Sequence, residues 1–243
     1  MDTNKKTQAK RNVISADNKH VPFAVVEAYK AIRTNLTFLL SENEAKVIAI
    51  TSPGAGEGKS TTAVNMAIAF SQLGDKVLLI DADMRRSSIH KKLRKENRIG
   101  LSNILAGFNK YAECVISVNE SLDVITAGQI PPNPSELLGG ARFKQFIDDV
   151  SKEYSYVIID TPPVDVVTDA LVIAPNTAGL VLVVRDQYTP TDAITHAISA
   201  AEFAGINILG AIMNGANPKN SRRYSYRRYY RSKKPTLGEP PKD

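Results

Sequence analysis

The sequence predicts one α/β domain, built on a mostly parallel sheet with helices on both faces. Short apolar runs alternate with stretches of helical periodicity along most of the chain, as expected for strand–helix–strand units. The runs are continuously apolar rather than alternating, which is typical of strands that are buried on both faces. Several of them end in an acidic or amide residue. We expect about six or seven such strands and find no internal repeat.

The composition is that of a globular protein with a basic tail. The 243 residues are 43% hydrophobic and 23% charged, which is enough for one domain with a large core. We expect a flexible segment at 1–20, the domain at 21–218 and the tail at 219–243. The tail holds nine Lys or Arg and two Asp or Glu, whereas the other 218 residues hold 22 basic and 23 acidic ones. Because no apolar run reaches the roughly 18 residues of a membrane helix and the N-terminus lacks an apolar signal core, we expect a cytoplasmic protein.

The first predicted helix runs from Pro22 to about Leu39, where apolar residues recur near a 3.6-residue period. Glu27, Lys30 and Arg33 are spaced by three on its polar side, so they neighbour one another on the helix surface. Two interpretations stay open: a solvated face with a weak ion pair, or a contact to another subunit.

Residues 52–61, Ser-Pro-Gly-Ala-Gly-Glu-Gly-Lys-Ser-Thr, lie between an apolar run at 47–51 and a helical run at 63–70. A strand, a glycine-rich turn and Gly-Lys-Ser at a helix start are the context of a phosphate-binding loop. The glycines let several backbone N–H groups point at one anion, and the helix N-terminus adds partial positive charge. Pro53 stands where the motif usually has its first glycine. The predicted ATP-binding residues of the loop are Gly54, Ala55, Gly56, Glu57, Gly58, Lys59, Ser60 and Thr61.

Two further apolar runs end in aspartates at the same predicted edge of the sheet. Asp81 and Asp83 follow the run at 77–80, and Asp160 follows the run at 156–159. Ligands of parallel sheets lie beyond the carboxyl ends of the strands, so we expect these carboxylates near the loop, where Lys59 reaches the β- and γ-phosphates and Ser60 binds Mg²⁺. Asp81 and Asp83 can hold Mg²⁺ or accept a proton, or they can cap the next helix. Asp160 can orient a Mg²⁺-bound water.

The middle of the chain carries weaker patterns. Residues 87–112 are basic and loosely helical, with a short helix at 100–105, and a strand is predicted at 122–128. Prolines at 131–134 force an extended entry into one helix that runs to about Tyr154, capped by Asn133 or Ser135.

The end of the domain is predicted as a strand at 179–184, a helix at about 189–204 and a last strand at 208–213. Pro190 is placed near the first helical position. Asn214 follows the last strand, and its amide can pair with an adenine edge or can form a turn.

The tail contains four of the nine tyrosines within seven positions: Tyr224, Tyr226, Tyr229 and Tyr230. No apolar period accompanies them, so we do not expect a core there. From Pro218 an extended chain reaches about 20 Å to the first and about 40 Å to the last, so these phenols can visit a nucleotide site. They are possible phosphoryl acceptors. Arginine interleaved with aromatic rings is also typical of single-stranded nucleic-acid binding, and a tail without defined structure is the third interpretation.

With these motifs in place, the chain resembles the bacterial tyrosine kinases of capsular and exopolysaccharide synthesis, over nearly all of residues 20–231. The three nucleotide motifs occur in that family's order at 52–61, 77–86 and 157–163, and Pro-Ser-Glu-Leu-Leu at 134–138 also matches. The second motif, apolar residues followed by Asp-x-Asp-x-Arg, is more specific than the widespread first one. The family is similar in fold to MinD- and ParA-type ATPases, which implies a P-loop NTPase-like fold. Those ATPases carry a lysine at the position of Gly54, which argues against a partitioning ATPase.

The resemblance implies an ATP- and Mg²⁺-dependent protein-tyrosine kinase that autophosphorylates its terminal tyrosine cluster between subunits and regulates polysaccharide synthesis and export. It implies that Lys59, Asp81 and Asp83 are catalytic, with Asp81 as the base. Ser60, Asp83 and Asp160 are then the Mg²⁺ ligands.

The resemblance also implies partners. In this family Glu-x-x-Arg-x-x-Arg on the first helix helps to build a ring of subunits, and Glu27, Lys30 and Arg33 match it with a lysine in place of the first arginine. A transmembrane activator or chain-length-determinant protein with an activating cytoplasmic tail, a cognate tyrosine phosphatase and a peripheral position at the inner face of the cell membrane are further implications. A nucleic-acid partner is not implied. The competing hypotheses are an ATP-switched partitioning or scaffold ATPase whose basic tail binds DNA or membrane, and a non-enzymatic membrane adaptor.

Overall fold

A computed structural model describes residues 21–42 and 46–216 of the chain. The predicted segments at 1–20 and 219–243, including the four tail tyrosines, fall outside the described residues, so the division into a domain and two tails stays a prediction. Within the two described ranges, no helix has the length and apolar character needed to cross a membrane.

Helices and strands follow one another much as the sequence pattern predicts. Their bounds are α1 Phe23–Leu39, β1 Val47–Thr51, α2 Lys59–Ser71, β2 Val77–Asp81, α3 Ile89–Leu93, α4 Leu101–Ala106, α5 Tyr111–Cys114, β3 Val115–Asn119, β4 Leu122–Ile125, α6 Pro134–Gly139, α7 Ala141–Glu153, β5 Tyr156–Asp160, α8 Asp169–Ile173, β6 Leu180–Arg185, α9 Thr191–Phe203 and β7 Ile208–Asn214.

The strands of the described part of the chain form one seven-stranded sheet in the order β3-β4-β2-β5-β1-β6-β7. All neighbouring pairs are parallel except β3 with β4. Asp81 is the register partner of Asp160, and Arg185 is the partner of Asn214. The ends of four strands therefore meet at one edge, with β1 and the loop that follows it between them. This architecture confirms the predicted α/β class.

The core occupies both faces of the sheet, because successive strand residues point to opposite sides. Ile48 and Ile50 of β1 pack with α1 and α2, whereas Val47 and Ala49 pack with the helices of the other face. Helix α2 lies almost wholly in the interior. Its continuous burial explains why its sequence lacks a polar stripe, and it anchors the end of the glycine-rich loop.

The middle of the chain differs from the sequence prediction at two places. No element was assigned to 115–119, where β3 pairs antiparallel with β4 across a short turn and turns its polar residues outward at the sheet edge. The single helix expected up to about Tyr154 is two helices, because Gly140 has an extended backbone (ψ 159°) that ends α6 and starts α7. Asn133 lies at the N-cap position of α6 without a capping side-chain bond, and Pro190 precedes α9 rather than opening it.

Candidate functional site

The glycine-rich loop is a tight turn that requires glycine at two positions. Gly56 and Gly58 have φ angles of +84° and +100°, in the region that side chains with a Cβ rarely adopt. A Cβ on Gly58 would lie 2.0 Å from the Asn214 amide nitrogen. Pro53 fits the loop start, and its carbonyl accepts a hydrogen bond from the Asp165 N–H. The sequence departure at Pro53 therefore leaves the loop shape intact.

Glu57 connects the loop to the two strands on its outer side. Its Oε1 accepts a 2.8 Å hydrogen bond from Thr189, and its carbonyl accepts one of 2.8 Å from the Asn214 amide. Burial raises the pKa of the Glu57 carboxyl. Asn214 thus holds the loop in this structure. Its predicted contact with adenine stays a prediction.

Lys59 is bound to the predicted acidic residues. Its Nζ donates to Asp83 Oδ2 at 2.8 Å, to Ser60 Oγ at 3.2 Å and lies 3.5 Å from Asp160 Oδ1. Burial by itself would lower the pKa of Lys59, but the charges of Asp160 and Asp83 hold it above its ordinary value. The structure therefore brings together four residues that the sequence placed in one site.

Asp81 and Asp83 each use one carboxylate oxygen for the local backbone. Asp81 Oδ2 accepts hydrogen bonds from the N–H groups of Ser88 and Ile89, at 3.1 Å each, where α3 begins. Asp83 Oδ1 accepts the N–H of Arg86 at 2.9 Å. The capping role weighed for these aspartates is thus real for Asp81. It leaves Asp81 Oδ1 without a partner in the described ranges, whereas Asp83 Oδ2 accepts the hydrogen bond from Lys59.

Two buried carboxylate oxygens, Asp81 Oδ1 and Asp160 Oδ2, have no hydrogen-bond partner among the described residues. Burial and the charge of Asp160 raise the pKa of Asp81 to about 7. Such unsatisfied buried oxygens fit a site completed by a bound cation or its water. The described ranges hold no group of three or more His, Cys, Asp or Glu placed to bind a metal. Mg²⁺, however, takes only one or two carboxylates besides phosphates and water, which suits Ser60 with Asp83 and Asp160.

The three residues predicted for subunit contacts make two kinds of contact within this chain. Lys30 and Glu27 form an exposed 3.0 Å ion pair on α1, and each side chain is 45% exposed. Arg33 instead donates to the Ala69 carbonyl on α2 of the same chain. Their role between subunits stays a prediction.

The chain is similar to known proteins over most of its length. A family model described as "AAA domain" matches residues 45–199. Tyrosine-protein kinase YwqD of Bacillus subtilis (strain 168) is 41% identical over 201 residues, which cover 82% of this chain and 85% of YwqD. The chain belongs to the bacterial tyrosine-protein kinases. Its enzyme class is therefore protein-tyrosine kinase.

Other proteins that are similar to this kinase are also named tyrosine kinases. The putative tyrosine-protein kinase CapB of Staphylococcus aureus is 36% identical over 83% of the chain and 90% of CapB. The solved kinase domain of the Escherichia coli tyrosine kinase Etk matches with a TM-score of 0.78 and 38% identity, over 83% of this chain and 80% of that domain. Full-length Etk of strain K12 is longer, and the matched part of this kinase covers 32% of it.

Sequence reasoning missed the groups of this kinase that hold the outer side of the loop. Arg185 donates to the Gly56 carbonyl at 3.2 Å, and the Tyr188 hydroxyl donates to the Ala55 carbonyl at 3.3 Å. The Arg185 guanidinium also lies over the Tyr188 ring, 4.8 Å from its centroid. One feature of the sequence could have indicated this contact: Arg185 ends a buried strand at the same edge of the sheet as the aspartates.

A second missed group explains the family segment at 134–138. Ser135, weighed as a helix cap, instead donates to the fully buried Asp169, and Arg85 binds both of them, with Nε 3.3 Å from Asp169 Oδ2. This cluster ties the acidic motif at 81–86 to α6 and α8. Lys92, on α3, was also missed, and its Nζ donates to Thr61 Oγ1 at 2.9 Å.

Proposed function

We propose that this kinase transfers the γ-phosphoryl group of ATP to tyrosines of its own C-terminal tail, mainly from one subunit to another. The observation that carries the proposal is the Lys59 ammonium, held by Asp83 and Asp160 where the glycine-rich loop enters α2. An ammonium at this position can exchange carboxylate oxygens for phosphate oxygens when the nucleotide binds. Charge stabilisation of this kind is the main catalytic contribution in phosphoryl transfer.

Asp81 is the base in this proposal. Its raised pKa of about 7 lies near the operating pH, where a base is most effective, and one of its oxygens has no partner in the described ranges. The tyrosine oxygen forms a bond to the γ-phosphorus while the bond to the β,γ-bridging oxygen breaks. The phenol proton passes to Asp81, and ADP leaves. Ser60, Asp83 and Asp160 would hold Mg²⁺, which neutralises phosphate charge when it is bound.

The tail can supply the acceptors because of where the domain ends. Asn214, the last residue of β7, contacts the loop directly through Glu57. A chain that leaves the sheet beside the loop reaches about 20 Å to Tyr224 and about 40 Å to Tyr230 from Pro218. The proposed division is a flexible segment at 1–20, a kinase domain at 21–218 and the tail at 219–243.

The proposal includes the partners implied by the family. A transmembrane protein activates the kinase through its cytoplasmic tail and holds it at the inner face of the cell membrane, and a cognate phosphatase reverses the reaction. Subunits assemble as a ring through α1, where the exposed Glu27–Lys30 pair is available for contact. Control of capsular or exopolysaccharide synthesis is the proposed output.

Two complementary variants test the transfer between subunits. Lys59→Met removes the ammonium and keeps the tail, whereas a variant with Phe at 224, 226, 229 and 230 keeps the site and removes the acceptors. With ATP, Mg²⁺ and the activator tail present, neither alone is expected to gain phosphotyrosine in 224–230. Mixed together, the Met variant should be phosphorylated there. Mass spectrometry distinguishes the chains, and absence of phosphotyrosine at 224–230 in the unaltered protein would overturn the proposal.

A further inference from the structure

Lys92 places a second ammonium beside the glycine-rich loop. It lies on α3, and its half-buried side chain turns back so that Nζ donates to Thr61 Oγ1 at 2.9 Å. Thr61 belongs to the first turn of α2, two residues after Lys59. The loop end is therefore flanked by two lysines from different elements.

The charge of the Lys92 ammonium is only partly compensated by the carboxylates near it. Burial lowers its pKa, Lys59 repels it, and Asp160 and Asp81 offset part of this cost. The N-terminus of α2 adds further partial positive charge. Two ammonium groups at a helix N-terminus repel each other, and a polyanion such as a triphosphate can bind both.

A further cation beside the loop is engaged on its outer side. Arg185 donates to the Gly56 carbonyl and lies over the Tyr188 ring. At position 54 the chain has glycine, so the loop itself supplies one lysine, Lys59. Lys92 on α3 brings a second ammonium to the end of the loop.

We propose that Lys92 is a second phosphate-binding cation, supplied by the same subunit, which exchanges the Thr61 hydroxyl for a phosphate oxygen of bound ATP and stabilises the charge of the transferring group. This proposal rests on the ATP-dependent transfer proposed above. Positive groups that contact the transferring phosphoryl group act mainly on the transition state, and Lys92 is placed to do so without help from a neighbouring subunit.

The test compares a ground-state ligand with a transition-state analogue. Calorimetry measures the affinity of Mg²⁺–ADP with and without aluminium fluoride for the full chain and for Lys92→Gln, Lys92→Arg and Lys91→Gln. Lys91 is the matched control, because it is the exposed neighbour on the same helix. We expect Lys92→Gln to bind the fluoride complex at least about tenfold more weakly while its ADP affinity changes less than about threefold. Lys92→Arg should retain most of the difference, and Lys91→Gln should match the unaltered protein.

Other outcomes overturn the assignment. Equal losses for both ligands, or a Lys92→Gln variant that matches Lys91→Gln, would mean that Lys92 does not act on the transferring group. If Lys92→Gln does not fold, as judged by its thermal melting, Lys92→Met serves in its place with the same expectations. Because analogue binding needs no tyrosine acceptor, an unaltered protein that distinguishes the two ligands but forms no phosphotyrosine would refute the proposed function and leave the Lys92 assignment standing.

Discussion

Asparagine in place of Asp81 is expected to stabilise the ligand-free kinase while it abolishes transfer. The pKa of Asp81 rises from 3.8 to about 7, because the group is buried and lies near Asp160. The folded state disfavours the charged form of Asp81. The resulting loss in the free energy of unfolding is absent below pH 3.8 and grows until the pH has risen through 7. The difference between the two pKa values corresponds to up to about 4 kcal/mol at pH 8, and to less than half of that at pH 5. Asparagine keeps an oxygen for the two N–H groups of α3 and carries no charge.

Chemical denaturation at the two pH values measures this effect. Asp81→Asn should raise the free energy of unfolding by up to about 4 kcal/mol at pH 8, with a clearly smaller gain at pH 5. Asp83→Asn is the matched control with the opposite sign, because it removes the carboxylate that binds Lys59 at 2.8 Å. An Asp81→Asn variant that is less stable than the unaltered kinase at pH 8, or whose gain does not depend on pH, would refute the reasoning.

Three further substitutions test folding stability and ligand affinity separately. Arg33→Ala should lower the free energy of unfolding by about 1–3 kcal/mol, because the Ala69 carbonyl loses its charged donor. Lys30→Ala should lower it by less than about 0.5 kcal/mol, because only an exposed ion pair is lost. Equal effects of the two substitutions in chemical denaturation would contradict this reasoning. Asn214→Ala should weaken ADP binding about fivefold in calorimetry, since the Glu57 carbonyl loses a hydrogen bond that holds the loop. Unchanged affinity would show that the loop keeps its shape without Asn214.

The architecture and the centre of the site could be predicted because both follow from local patterns. Continuous apolar runs predict parallel strands, and parallel strands bring their ends to one edge. Asp83 and Asp160 therefore had to lie near Lys59, although 24 and 101 residues separate them from it in the chain.

The contacts that could not be predicted join side chains whose own neighbourhoods are unremarkable. Arg85 and Asp169 are 84 residues apart, and Lys92 and Thr61 are 31 apart. Nothing in a basic stretch indicates which lysine turns inward, because that depends on how α3 packs against α2. Strand β3 was missed for a related reason: an edge strand has one neighbour and needs no continuous apolar run.

Strand β1 lies between two groups of strands that contribute different residues to the site of this kinase. Strands β2 and β5 lie on one side of it and carry the aspartates, whereas β6 and β7 lie on the other and carry the groups that grip the loop from outside. A substitution on β6 or β7 can therefore change the affinity for nucleotide while the aspartates on the other side keep their positions.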